Sequence, residues 1–543
     1  MKSNIETIYF VSKMLAIAVS SAFAQHTDGY VRQPAFDVAH YALDLTLSDA
    51  SNIIRGEATV NVIIRDATDS TLHLNLKGLE VTSVTSTNRA LAFARVSDGL
   101  LVHLPQTVAN GDTLPLTVAY AGEPQDGLII RSNKFGRRSF FADNWPDRSR
   151  YWFPSVDHPS DKATVEFRVT LPSRYTVVAN GRLQDVSDER NGNKSWHWIE
   201  RTPIPTYCMV IGAAEFAETS VSSSTGVPIT FYTFKEDAPY AHENFGRVAE
   251  MMAFFSEKIG PFPYEKLALV QSSTRYGGME NASAIFFAES SFGKGKTIEG
   301  TTAHEIAHQW FGDAVSAADW HHVWLSEGFA TYGEALFYEH AEGQQKFREV
   351  MRRSRDNYFR FAERAGGPIL DTTITNYMQL LNANNYAKAA WVLHMLRNVI
   401  GEDKFWPGLA AYYRQFKNGT ALTQHFQAVM ENISGKPLDW FFTQWLQQPG
   451  YPKLEGQWFW DSSAKTVELE LRQIQAGEPF YLPLDIASQP GDSEKLNCEM
   501  KENYLRFVFS ADMPPAKLEI DPDEKILMTV NLTNEMPAKA SSQ

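Results

Sequence analysis

From residue 36 to about residue 213, apolar and polar residues alternate in short runs. Tyr41, Leu43, Leu45 and Leu47 form one, Val60 and Val62 another, then Leu72, Leu74 and Leu76, and later Val165, Phe167 and Val169. A period of two belongs to strands buried on one face. Asn110-Gly111-Asp112, Ala179-Asn180-Gly181 and Asn191-Gly192-Asn193 punctuate the runs with residues that turn a chain at low cost. The pattern predicts an all-β amino-terminal domain of sandwich type over residues 25–213. Near Phe231 the period changes. Residues 241–259 carry Phe245, Val248, Met251, Met252 and Phe255 at helical spacing, ahead of Gly260-Pro261, and predict one long helix. A mostly helical domain, with a single short strand at 267–271, is expected over 214–450, where Pro449-Gly450 closes it. Alternation returns with Val467, Leu469 and Leu471, then at 504–509 and 518–520, predicting a small β-sandwich over 451–535. The small, polar residues 536–543 predict a disordered tail.

Three domains suit a chain of 543 residues, since single cores rarely exceed about 200 residues. With 43% hydrophobic and 13% aromatic residues there is enough apolar side chain for several cores, which excludes global disorder. A net charge of -14 argues against nucleic acid or an anionic membrane as partner, because those surfaces select Lys and Arg. At the amino terminus, Lys2 and Lys13 precede an apolar run from Met14 to Val19 and the small-x-small triplet Ala22-Phe23-Ala24, which predicts a signal peptide over 1–24 and an exported protein, periplasmic or secreted. The run is too short to span a bilayer and no other segment approaches the length needed, so membrane insertion is not expected. Cys208 and Cys498 fall in different predicted domains, so neither a disulfide nor a thiolate metal site is expected. Any metal must be held by His and carboxylates.

His304-Glu305-Ile306-Ala307-His308 lies in a stretch that predicts a helix from 299 to 310. At 3.6 residues per turn the two imidazoles stand on one face, one turn apart, and can converge on a Zn²⁺ ion. Glu305 is rotated about 100° away, beside the metal rather than on it, where a base for a water is needed. Catalytic zinc takes three protein ligands and keeps one position open, and two His with one Glu is a suitable set. Glu327, in Trp324-Leu325-Ser326-Glu327-Gly328, is the candidate third ligand, carried on a second helix. His321 and His322 read as helix-boundary residues, since the set of ligands is complete without them.

Over nearly its whole length the sequence resembles the M1 family of zinc metallo-aminopeptidases, in a short form without the family's large carboxy-terminal helical domain. Three motifs carry the resemblance: His304 to Glu327; Gly277-Gly278-Met279-Glu280-Asn281, similar to the family's exopeptidase signature; and Tyr386-Ala387-Lys388 at the position of its catalytic tyrosine. Trp152-Phe153-Pro154 and Gln444-Trp445-Leu446 are further, weaker matches. The resemblance implies a thermolysin-like catalytic domain between two β-sandwiches, and one Zn²⁺ per chain on His304, His308 and Glu327. It implies hydrolysis of the amino-terminal bond of peptides by a water at the metal, with Glu305 as base. Glu280 would bind the free α-ammonium, with Gly277, Gly278, Met279 and Asn281 also contacting substrate, and Tyr386 would donate to the oxyanion. The partners implied are peptides with a free amino terminus, acted on by a monomer.

The match at Tyr386 is imperfect, since Ala389 stands where the family usually has Gly. Two departures concern specificity: the missing carboxy-terminal helical domain, and Asn144-Trp145-Pro146 where relatives place a second ammonium anchor. The absence of a helical carboxy-terminal domain predicts an open cleft. The competing readings are a thermolysin-type endopeptidase, which needs no Glu280; an epoxide hydrolase, as in one branch of the family; and an inactive peptide-binding scaffold, which would not need all four of His304, Glu305, His308 and Glu327.

Overall fold

Strand Phe36–Thr46 buries alternate side chains, Tyr41, Leu43 and Leu45 among them, and pairs on both sides. Ile54–Ile64 runs antiparallel to it on one edge and Lys162–Pro172 parallel on the other. The computed structural model describes residues 26–489 and 495–534, so the expected signal peptide and the expected tail lie outside the described residues. These strands are the centre of an eight-stranded sheet, accompanied by a four-stranded and a three-stranded sheet. Trp152 and Phe153 lie between the layers: Phe153 meets Tyr41 edge-on, and Trp152 stacks on Phe167. The amino-terminal third is therefore the β-rich domain that the alternation predicts.

The next part of the chain differs from its expectation in two ways. Instead of one strand it holds a five-stranded mixed sheet, made of β1 (Phe216–Val221), β2 (Ile229–Phe234), β3 (Leu267–Ser272), β4 (Gly278–Met279) and β5 (Ala284–Ala288) in the order β1-β2-β3-β5-β4. β3 and β5 are apolar runs buried on both faces, so they show no alternation to read. The expected long helix is broken at Gly246, which has φ 73° and packs against the Glu299 side chain, leaving a short turn before α1 (Val248–Lys258).

Four further helices shape the site: α2 (Glu299–His308), α3 (Trp324–Glu342), α4 (Gln344–Ala362) and α5 (Ala389–Ile400). α2 and α3 approach closely because Gly333 faces Ala307; a Cβ on Gly333 would lie 2.7 Å from the Ala307 methyl. After the helices come a four-stranded and a three-stranded sheet, around Leu469, Leu471, Leu482, Leu484 and Ile486. No helix among the described residues is long and apolar enough to cross a membrane.

Residues 27–32 form a strap across the join between the first two parts. The backbone N–H groups of Thr27 and Asp28 donate to the Asp319 carboxylate, at 2.5 and 3.1 Å. Asp28 in turn accepts from the Trp320 N–H, bonds His158 at 2.8 Å and pairs with Arg32, while Tyr377 donates to its carbonyl. Trp320 meets Trp145 edge-on at 5.4 Å, so the strap braces a side chain that lines the cleft described next.

Candidate active site

α2 places His304 and His308 on one face, and α3 brings Glu327 across to them. The two Nε2 atoms are 3.0 Å apart, and Glu327 Oε2 lies 3.4 Å from His304 Nε2 and 3.3 Å from His308 Nε2. A tetrahedral zinc site with bonds of about 2.0–2.1 Å has ligand-to-ligand edges near 3.3 Å. The donor set therefore fits Zn²⁺ in kind and in spacing. Glu327 Oε2 is buried without a hydrogen-bond partner among the described residues, as a ligand atom should be.

The tautomer of His308 follows from its surroundings. Its Nδ1 is 3.2 Å from the Phe311 carbonyl, which only accepts, so Nδ1 carries the proton and Nε2 presents its lone pair to the metal position. Ser326 Oγ, 3.0 Å from the same Nδ1, adds a second hold on the ring. A side chain at Gly312, which has φ 131°, would collide with both Ser326 Oγ and the His308 ring.

The Glu305 carboxylate lies beside the ligands, against the edge strand β4. A Cβ on Gly278 would collide with its carboxylate, so glycine at 278 is what lets the base lie against the strand. Glu280 follows on the same strand end, and its carboxylate shares a small volume with Glu305 and His308, all within 4.8 Å of one another. Gln309 fixes that segment by donating to the Glu280 carbonyl at 2.6 Å and accepting from the Ser283 N–H at 2.8 Å.

Burying so many charges together moves their proton affinities. Glu280 is pushed up to about 7 by burial, with Glu327 adding to the effect, and burial drives Glu305 well above the carboxylate range. Burial resists a charge on His308, but Glu280, Glu327 and Glu305 outweigh it and raise it to about 10. Glu327 goes down to about 2, since the two imidazoles overcome its burial. A dication held by the ligands would favour the charged forms of Glu280 and Glu305 as well, while Glu327 is charged without it.

Tyr386 enters from a widened helical turn, Asn384–Lys388, in which the Lys388 N–H reaches the Ala383 carbonyl five residues back. Its ring lies parallel to that of His304 at 6.0 Å. Burial and the nearby Glu327 hold its hydroxyl far above the phenol value, so it remains a donor. Ala389 is accommodated by Gly328 on α3: a Cβ at 328 would lie 2.6 Å from the Ala389 methyl.

The cleft has a volume of about 320 Å³. Of the residues singled out from the sequence, Gly277, Gly278, Met279, Glu280, His304, Glu305, His308, Glu327 and Tyr386 line it, and Asn281 does not. Asn281 is fully buried behind the wall, its amide without a partner among the described residues. Asn144 also faces away, bonded to the Met209 carbonyl and the Trp152 indole, while its neighbour Trp145 forms part of the wall. Tyr276, Thr301, Glu334 and Leu381 are further wall residues that the sequence reading did not name. His321 and His322 bond Thr27 and Thr423 and stay out of the ligand set.

Comparison with known proteins gives the same picture. A Peptidase M1 N-terminal domain matches residues 38–208 and a Peptidase family M1 domain matches 243–445. Glutamyl aminopeptidase of Rattus norvegicus is 27% identical over 332 residues, 57% of this chain and 34% of that protein. Probable aminopeptidase 1 of Saccharolobus solfataricus is 25% identical over 422 residues, 72% of this chain and 51% of its own. The chain thus spans between a third and a half of the length of these relatives. An M1 zinc metallopeptidase from Deinococcus radiodurans aligns with a TM-score of 0.69 at 27% identity, covering 78% of this chain and 97% of that one. A mutant M1 zinc metallopeptidase from the same organism, bound to a Tyr-Ser-Ala substrate, aligns with a TM-score of 0.68 at 26% identity, covering 78% and 98%. Two family domains matched in their order, over the elements that build the cleft, lead to one assignment: this chain belongs to the M1 family of zinc metallopeptidases.

Proposed function

We propose that the chain is a zinc-dependent aminopeptidase, which hydrolyses the first bond of peptides that have a free amino terminus. One observation carries this reading. Three buried carboxylates, Glu280, Glu305 and Glu327, share the cleft with two imidazoles. A dication neutralises two of those charges and the α-ammonium of a peptide the third. A substrate with a blocked amino terminus brings no cation and leaves a buried carboxylate uncompensated, which is costly. The balance favours an exopeptidase over a thermolysin-type endopeptidase, and a scaffold without chemistry has no use for Glu305.

Zinc held by His304, His308 and Glu327 supplies Lewis acidity, which polarises the scissile carbonyl and makes a water more acidic. Glu305 takes the proton of the attacking water on its carboxylate and passes it to the leaving amine. Glu280 holds the ammonium through charge-assisted hydrogen bonds and so fixes which bond reaches Glu305. The Tyr386 hydroxyl donates to the oxyanion. Trp145, Tyr276, Met279 and Leu381 give the first side chain an apolar recess, which favours large apolar amino-terminal residues.

The test is a panel of aminoacyl p-nitroanilides, each beside its N-acetyl counterpart, with and without a chelator. Turnover of the free amines alone, lost on chelation and restored by zinc, supports the reading; chelation also lowers the melting temperature, because the metal binds only the folded chain. Equal turnover of the acetylated compounds sinks it. Export is part of the same proposal and rests on the sequence of residues 1–24; a mature protein beginning at Gln25 is expected, and a retained Met1 refutes it.

A further inference from the structure

The cleft is lined by a fourth carboxylate, Glu334, which the charge balance above leaves over. It follows Glu327 by seven residues on α3, two turns further along the same face and about 10 Å away along the axis. Its carboxylate rests against α2 where Gly300 leaves room; a Cβ at 300 would lie 2.7 Å from Oε1. Its partner is Arg353 on α4, at 2.6 Å, and the two are unequal: the Glu334 side chain is 17% exposed and that of Arg353 65%.

The positions along α2 give the substrate a direction. Gly300 and Glu334 are at one end, His304 and His308 follow, and Gln309 with the Glu280 carbonyl is at the other. A peptide with its ammonium at Glu280 and its first bond at the ligands sends its second residue toward Gly300. A lysine there has a flexible four-carbon stem and can carry its ammonium to Glu334. Arg353 is easily displaced, since pairs with an exposed partner are weak.

We infer that Glu334 selects a cationic side chain, lysine or arginine, on the residue immediately after the scissile bond. The inference rests on the aminopeptidase reading and adds the substrate class on the leaving side. An acidic residue at that position meets a like charge and is rejected.

The experiment compares kcat/KM for Leu-Lys-Gly, Leu-Gln-Gly and Leu-Glu-Gly, with leucine p-nitroanilide as a reference that has no second side chain. Wild type is expected to prefer the lysine peptide over the glutamate peptide by about tenfold. Glu334→Gln is expected to remove most of that ratio and Glu334→Lys to reverse it. Arg353→Ala, at an exposed position, is expected to widen the ratio by removing the competing cation, and it decides the matter if the Glu334 variants fail to fold. Equal rates on the three peptides, or a ratio that Arg353→Ala narrows, overturn the inference while leucine p-nitroanilide is still cleaved. No turnover of any free-amine substrate overturns the aminopeptidase reading itself.

Discussion

Two buried polar clusters sit side by side at the end of α2 and are built in opposite ways. Behind the helix, Gln309 donates to the Glu280 carbonyl and to Asp313, the Cys208 thiol donates to Asp313 at 3.2 Å, and Lys162 donates to the carbonyls of Asp313, Ala314 and Gly419. Donors there meet acceptors within the chain. In front of the helix, two imidazole nitrogens and a carboxylate oxygen face one another at 3.0 to 3.4 Å, with two more carboxylates beside them. Ionisable groups there crowd together with few fixed donors from the rest of the chain. The first cluster fixes geometry by being complete; the second holds affinity for cations because it is not.

Removing the base should produce the largest effect. Glu305→Gln keeps the shape of the front cluster and takes away its proton acceptor, so kcat is expected to fall about 10²–10⁴-fold with the melting temperature held or raised. A variant that keeps a tenth of its activity breaks the assignment of Glu305. Tyr386→Phe removes one hydrogen-bond donor and should lower kcat about 10²–10³-fold, with KM little changed; a loss confined to KM would move the tyrosine from the chemistry to binding. Gly278→Ala displaces the Glu305 carboxylate, and a shift of about 1 Å costs on the order of 10²-fold in kcat. Placed in the Glu305→Gln background it should cost much less, since both act on one carboxylate. Equal penalties in the two backgrounds would show that Gly278 acts elsewhere.

The rear cluster responds in a different currency. Gln309→Leu strands the Glu280 carbonyl, the Ser283 N–H and an Asp313 oxygen, at about 1–3 kcal/mol for each buried group left without a partner. Its signature is a lower denaturation midpoint, with a rise in KM larger than any fall in kcat, because Glu280 loses its mooring. A change in kcat alone would mean that the two clusters are less separate than their bonding suggests.

How much of this was legible in the sequence depends on how local each feature is. His304, Glu305 and His308 are fixed by helix periodicity within five residues; the zinc ligand count asks for a third ligand, and the spacing from His308 singles out Glu327. The alternating strands near Tyr41 and Phe167 were legible because one face of each is buried. β5 was not, because a strand buried on both faces looks like any apolar run. The break falls at Gly246, whose φ of 73° ends the first turn with its N–H on the His242 carbonyl; a lone glycine inside an apolar helical pattern is a weak signal, and the periodicity reads through it. Trp145, Tyr276 and Leu381 are brought to one cleft from distant segments, whereas Glu334 did leave a local signal, two turns after a ligand on the same face. The motif shared with the family implies a substrate contact at Asn281, but the cleft wall ends at Glu280 and the Asn281 side chain is buried behind it.

The strap at residues 27–32 bears on how this protein can be cut and recombined. Asp319 is fully buried and takes its hydrogen bonds from Thr27, Asp28 and His321, so a fragment holding only the zinc helices keeps the His321 donor but exposes a carboxylate oxygen whose two donors from the strap have been left behind. Such a fragment is expected to be insoluble or to unfold at room temperature, and a domain exchange with a relative should succeed only when the strap travels with the helices whose loop it holds. For anyone drawing the boundaries of the catalytic part, it has two segments in the chain, residues 27–32 and the helical stretch that starts some two hundred residues later.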